Sequence, residues 1–234
     1  MKYLENEHYF EVIDTYAKAY LLGFIAADGA LVKSSVGKSL YLTITIKYED
    51  RAILDFMQKE LGSKHKLLEI RKPSGFDKSK MVHHLRLAFC NKNITSDILK
   101  YGITQRKSLT LGNIIHNIPS KFRDAFIIGY FDGDGSVTPV NNSPNNKSLH
   151  IQIRGTINFL TGICQHLNIP ISYIYEDTFP QLSITHMKYI VRFFKCYEYL
   201  PFYYIRKYNK FLERINTPSY DKYKQVQTIS SPTK

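Results

Sequence analysis

Leu21-Leu22-Gly23-Phe24-Ile25-Ala26-Ala27-Asp28-Gly29 and Ile127-Ile128-Gly129-Tyr130-Phe131-Asp132-Gly133-Asp134-Gly135 are two versions of one pattern. Gly23, Asp28 and Gly29 return as Gly129, Asp134 and Gly135, an offset of 106 residues in a chain of 234. A repeat at nearly half the chain length implies two similar halves, each bringing one carboxylate to a shared axis. Each segment is apolar almost all round ahead of its acid, so its helix is expected to be buried on every side. Gly23 with Ala26 and Ala27, and Gly129 with Gly133, put small residues three or four apart on one helical face, which lets two backbones approach closely. Helices packed that way deliver Asp28 and Asp134 as neighbours at their C-terminal ends. One Asp-Gly pair after a helix reads as a cap and turn. Two copies in the same helix and strand context point further.

Carboxylates beside helix C-termini, where the dipole is already negative, repel one another unless a cation intervenes. Hard divalent ions with oxygen ligands suit such a site, Mg²⁺ above all, with the carbonyls of Ala27 and Gly133 and a phosphate completing the oxygen set. Phosphodiester hydrolysis is the expected chemistry.

The chain carries 32 Lys and Arg against 20 Asp and Glu, a formal charge of +12. The first 117 residues hold 18 basic and 12 acidic residues, the remainder 14 and 8, so each half contributes +6. An excess shared equally suits a polyanion lying across both halves. Cys90, Cys164 and Cys196 are an odd number without zinc-site spacing, which fits a reducing, intracellular setting. The charged N-terminus has no signal-like apolar stretch, and no segment approaches the ~20 apolar residues of a membrane span.

Hydrophobic periodicity predicts helix, two strands, helix, two strands, helix in the first half: 14–27, 30–34, 40–48, 49–61, 66–72, 82–90 and 93–101. The second half repeats the order at 120–133, 136–140, 148–154, 158–167, 171–176, 180–185 and 187–197, with a polar hairpin tip at 141–147. The fold class is therefore α+β: two pseudo-symmetric αββαββα halves whose antiparallel sheets form a saddle. The expected division is 1–101 and 118–200 for the halves, 102–117 as linker, 201–216 as an extra aromatic and basic helix, and 217–234 as a polar tail.

Alternation within the strands marks a wet sheet face. Thr43, Thr45 and Lys47 alternate with Leu42, Ile44 and Ile46, and His150, Gln152 and Arg154 with Leu149, Ile151 and Ile153. His84 and Arg86, Glu69 and Arg71, and Gln181, Ser183 and Thr185 follow the same rule in their own strands. These residues, with Lys33, Ser35, Tyr41, Lys107, Ser136 and Thr138, form the expected DNA-contacting set. Their side chains are of the kinds that bond base edges and phosphates when a β-ribbon enters the major groove. His83, His116, His166 and His186 show no ligand spacing and are expected in surface or core roles.

The paired motifs, at domain-length spacing, resemble the LAGLIDADG motifs of homing endonucleases in their single-chain form, over roughly 16–197. The resemblance implies that Asp28 and Asp134, the last acids of the motifs, bind the catalytic metal: Mg²⁺, with Mn²⁺ able to substitute and Ca²⁺ binding without efficient cleavage. The earlier acidic position holds Ala26 in one copy and Asp132 in the other. The resemblance also implies a basic residue ending the second strand of a half, matched by Lys47 and, one residue out of register, by Arg154; Lys107 is a weaker basic candidate. The implied protein is a monomeric endonuclease cutting both strands of a long, nearly non-palindromic duplex, with no obligate protein partner and no membrane association. Its implied origin is a mobile intron or a free-standing gene, an intein being disfavoured without flanking splicing segments. Two alternatives stay open: a group I intron maturase binding intron RNA, and a non-cleaving DNA-binding regulator of the same fold.

Overall fold

The computed structural model of the chain describes residues 4–34, 39–73, 77–143 and 146–215. The first half runs α1 (Tyr16–Asp28), β1 (Gly29–Lys33), β2 (Leu40–Lys47), α2 (Ala52–Leu61), β3 (Leu68–Pro73), β4 (Met81–Phe89), α3 (Lys92–Lys100). After the short α4 (Lys107–Thr110), the second half runs α5 (Arg123–Asp134), β5 (Gly135–Ser143), β6 (Asn146–Arg154), α6 (Ile157–Leu167), β7 (Ile174–Tyr175), β8 (Gln181–Ile184), α7 (Met187–Lys195). α8 (Ile205–Ile215) follows. The two antiparallel sheets have the matching orders β1-β2-β4-β3 and β5-β6-β8-β7. Expectations for Ser35, for the tip of the 141–147 hairpin and for the chain beyond 215 fall wholly or partly outside the described residues. Among the described residues no helix is long and apolar enough to cross a membrane.

α1 and α5 pack side by side at the centre, and both are buried along nearly their whole length. Glycine makes the approach possible. A Cβ on Gly23 would run into the Phe126 carbonyl oxygen, and one on Gly129 into the Tyr20 carbonyl oxygen, 106 residues earlier. The contact therefore obeys the pseudo-twofold of the sequence repeat. Gly29 and Gly135 are not left-handed caps: both are extended (φ −72° and −98°), and each helix runs directly into its strand. What excludes a side chain there is the preceding turn, since a Cβ would overlap the Ile25 carbonyl oxygen or the Phe131 ring.

Each sheet lays its apolar face on helices, α3 against β2 and α7 against β6, and leaves the other face open. Residues directly opposite in a ladder share a face, and the ladders correct two expectations. Glu69 and Arg71 pair with Leu85 and His83, which puts them on the helix side of the sheet; Leu68 and Ile70 face outward with Arg86 and His84. Lys33 pairs with Leu40 and likewise lies on the helix-side register. β3 is an edge strand with no buried residue, so alternation within it carried no record of which face was covered. Thr43, Thr45, Lys47, His84 and Arg86 share the open face, as do Ser136, Thr138, His150, Gln152, Arg154, Gln181 and Ser183, and Tyr41 pairs with Val32 on that side.

Three other expectations change. The strand predicted over 171–176 is a 3₁₀ turn at Ile171–Tyr173 and a two-residue strand, because Pro170 opens a turn and no further strand lies beyond β7 to pair. The helix predicted from 49 starts as 3₁₀ at Tyr48–Asp50. The segment 102–117 is not bare linker: it contains α4 and a 3₁₀ turn at Ile114–Asn117, and Leu111, Ile114 and Ile115 join the core.

Candidate functional site: paired carboxylates beneath two open sheets

Because α1 and α5 pack along one line, their terminal acids emerge together. A Cβ on Gly133 would lie 3.2 Å from Asp28 Oδ2, so the Asp28 carboxylate rests against the end of the other half's helix. Burial, and next the neighbouring Asp134 carboxylate, push Asp28 up to about 6. Asp134 is also raised by burial, opposed by the ammonium groups of Lys107 and Lys207. Among the described residues neither carboxylate accepts a hydrogen bond or forms an ion pair within 4 Å. Two neighbouring carboxylates, Asp28 partly covered and Asp134 exposed, with no direct partner among the described residues, are a donor set for a hard cation. No cluster of three or more His, Cys, Asp or Glu side chains surrounds them among the described residues. The remaining oxygen ligands would have to be carbonyls, water or a phosphate.

Two lysines reach the helix ends. Lys107, on α4, is half-buried and donates from Nζ to the Ala27 carbonyl oxygen at 2.5 Å. Lys207, on α8 and 5 % exposed, donates to the carbonyls of Phe131 (2.6 Å), Asp132 (2.8 Å) and Gly135 (2.6 Å). Both therefore satisfy carbonyls that a helix C-terminus leaves unpaired and place positive charge where the dipole is negative. Burial lowers both lysines, Lys207 to about 8, against the pull of nearby carboxylates. Lys107 thus reaches the centre although the sequence marks it as the weaker basic candidate, and Lys207 belongs to the extra basic helix expected over 201–216. The available signal was positional: each lies between 70 and 80 residues beyond its own motif acid. Lys107 also occupies one side of the Ala27 carbonyl named as a metal ligand, whereas no hydrogen bond is made to the Gly133 carbonyl by any of these lysines.

Each aspartate opens into its own cleft. Asp28 shares one of about 400 Å³ with Lys47, Glu49, Asp50, His84 and Arg206, under the first sheet. Asp134 shares one of about 610 Å³ with Arg154, Tyr130, Leu109, Ile157 and Phe179, under the second. Arg154, expected one residue out of register with Lys47, stands two residues out. Gly29 lies opposite Ile44, and Gly135 opposite Ile153, so Arg154 occupies the station of Thr45. β6 stops there, while β2 continues to Lys47, which has no counterpart. On the open faces, Arg86 Nε donates to Thr45 Oγ1 (3.2 Å), and His150 Nε2 lies 2.5 Å from Ser183 Oγ. Of the four histidines expected in surface or core roles, His83 stacks on Tyr48, His166 bonds Asp124, His186 caps α7 and His116 sits on an exposed turn.

Two four-stranded antiparallel sheets thus flank twin glycine-packed helices, each ending in an acid. Residues 121–196 match the family model described as the LAGLIDADG-like domain, and the first half repeats the strand order of that second half. The homing endonuclease I-WcaI bound to its DNA recognition sequence superposes with a TM-score of 0.55 at 13% identity, covering 82% of this chain and 84% of that one. I-GzeII in complex with a DNA target gives 0.55 at 12% identity, covering 92% and 97%. The meganuclease I-AabMI bound to uncleaved DNA gives 0.53 at 11%, covering 92% and 98%. At these identities the likeness is one of fold. No curated protein matches the sequence.

Proposed function

We propose that the chain is a site-specific, divalent-metal-dependent endonuclease of the homing type, which binds a long DNA duplex along its two open sheets and hydrolyses one phosphodiester on each strand. The observation that carries this reading is the convergence of Asp28 and Asp134, neighbours with no direct partner among the described residues, at the foot of two sheets whose open faces are polar and basic. The solved relatives are bound to DNA, and the +12 charge gives this chain the matching electrostatics.

The residues divide the work. Thr45, His84 and Arg86 on one sheet, and Ser136, Thr138, His150, Gln152 and Gln181 on the other, read base edges and fix the register, while Ser183, buried against His150, and the covered Thr43 hydroxyl do not reach a duplex. Asp28 and Asp134 hold the cation, Mg²⁺ with Mn²⁺ able to substitute, through carboxylate oxygens. When bound, the ion neutralises the two acids and polarises the scissile phosphate. Lys47 and Arg154 face the phosphates from their separate clefts, and Lys107 and Lys207 keep the shared centre from becoming net negative when both acids are ionised. Because the halves differ in sequence, one monomer presents two unequal surfaces, and its target is not a palindrome.

The test is incubation of the protein in Mg²⁺ with DNA of its own locus lacking the insertion. Linear products with two discrete ends are expected, and Asp28→Asn and Asp134→Asn should bind the duplex without cutting it. Undiminished cutting by both variants overturns the assignment. Binding without cutting by the wild type places the chain among non-cleaving proteins of this fold.

A further inference from the structure

We propose that Asp132, the acid that only the second motif carries, is a positioning residue that docks the chain after the second half onto the central helices and thereby places Lys207 at the end of α5. The inference deepens the endonuclease reading and rests on it.

Asp132 is 1 % exposed, in a helix interface where the equivalent residue of the first motif is Ala26. An isolated carboxylate buried there is costly unless it is hydrogen-bonded and paired. Its Oδ2 accepts from two donors that belong to different parts of the chain: the Tyr20 hydroxyl of α1 at 2.8 Å, and the backbone N–H of Tyr204 at 2.8 Å. Tyr204 is the residue on which the first turn of α8 is built, because the Lys207 N–H donates to the Tyr204 carbonyl (2.9 Å). Asp132 thus holds Tyr204, Tyr204 holds the backbone of Lys207, and the Lys207 ammonium reaches three carbonyls of the α5 terminus, that of Asp132 among them.

The docked segment also bridges the halves. Arg206 makes a two-pronged pair with Asp50 (3.1 and 3.0 Å), and the ring of Phe202 stacks on Phe56 with centroids 5.0 Å apart. Lys107, the counterpart in the first half, is placed differently: its segment is held where the Thr156 hydroxyl donates to the Leu111 carbonyl, and no buried acid is involved. The single acidic departure between the motifs is therefore matched by a single difference in how the two lysines are delivered.

The experiment uses the full chain and the duplex named above, with single-turnover cleavage in Mg²⁺ and binding in Ca²⁺. Asp132→Asn should cut about 10-fold more slowly, the scale seen when a residue that orients a reactive group is removed, with Kd changed less than about two-fold. Because Asp132 acts through Lys207, adding Asp132→Asn to Lys207→Met should cost less than about two-fold more. Wild-type cutting by Asp132→Asn, or a loss that multiplies in full onto Lys207→Met, overturns the proposal. Hydrogen exchange provides the reading that does not depend on cleavage: amides of α8 should exchange at least about 10-fold faster in Asp132→Asn while those of α2 and α6 do not change. Uniform acceleration, or none, refutes the anchor. Tyr20→Phe deletes one donor to the same carboxylate and should move both readings the same way by less, which covers the case of an unstable Asp132→Asn. If the wild type does not cut, the endonuclease reading fails, and exchange alone decides the docking role.

Discussion

The clefts under the two halves start from the same helix end and finish with different walls. On the first side Asp28 looks onto Lys47, Glu49, Asp50, His84 and Arg206; on the second, Asp134 looks onto Arg154 and the apolar Leu109, Ile157 and Phe179, the first and last largely exposed. The helices that carry the acids cannot drift apart in sequence in this way, because each glycine faces a backbone carbonyl of its partner and has no room for a side chain. The walls come from different elements in each half, α8 and β4 with a 3₁₀ turn on one side and α4, α6 and the segment before β8 on the other, where side chains meet solvent rather than a backbone. Symmetry is therefore retained where backbones touch and lost where side chains meet solvent. A centre assembled on the shared axis can serve two halves whose open surfaces differ.

Breaking the comparison at its centre should have the largest effect. Asp28→Asn and Asp134→Asn should each remove detectable cleavage of both strands, since each acid belongs to one joint centre; gel assays of nicked and linear product check this. A variant that still cuts one strand at the wild-type rate would show two independent centres. Gly23→Val or Gly129→Val should destabilise the fold by about 3 kcal/mol or more, because the obstacle is a backbone carbonyl rather than a movable side chain. Denaturant unfolding measures it, and equal losses at the two positions would sharpen the claim of a symmetric interface.

At the walls the halves should separate. Lys47→Ala should slow one strand and Arg154→Ala the other, by about 10-fold each, because the residues sit in different clefts. Strand-specific end-labelling reads both. The pH response should be milder. Burial and Asp134 raise Asp28 from its usual 3.8 to about 6, above its unfolded value, so proton uptake favours the folded state. Metal-free protein should therefore lose stability as pH rises through the window from about 4 to 6, and Mg²⁺ should restore it mainly above that window. Thermal unfolding with and without chelator tests the sign, and Asp28→Asn should flatten the response. On the sheet faces Arg86→Ala should weaken DNA binding by about 1–3 kcal/mol, and the smallest effect is expected at Glu69→Ala and Arg71→Ala, which lie on the helix-side register and should stay within about two-fold.

The repeat, the order of elements in both halves and the buried character of the motif helices were legible in the chain because each rests on local spacing: Gly and Ala three or four apart, apolar residues at helical or alternate positions, an acid and a glycine at the end. Strand faces were legible where burial wrote an alternation, as in Leu42, Ile44 and Ile46, and illegible in β3, which buries nothing. The place of Lys207 is not legible in the sequence because α8 comes some 70 residues after the helix it caps, and only the packing of that segment across both halves returns it there. The sequence by itself determined that two acids end two matching helices. Tertiary structure alone decided which charges gather round them and that Arg154 stands where Thr45 does, because register and long-range docking depend on contacts between residues that the chain keeps far apart.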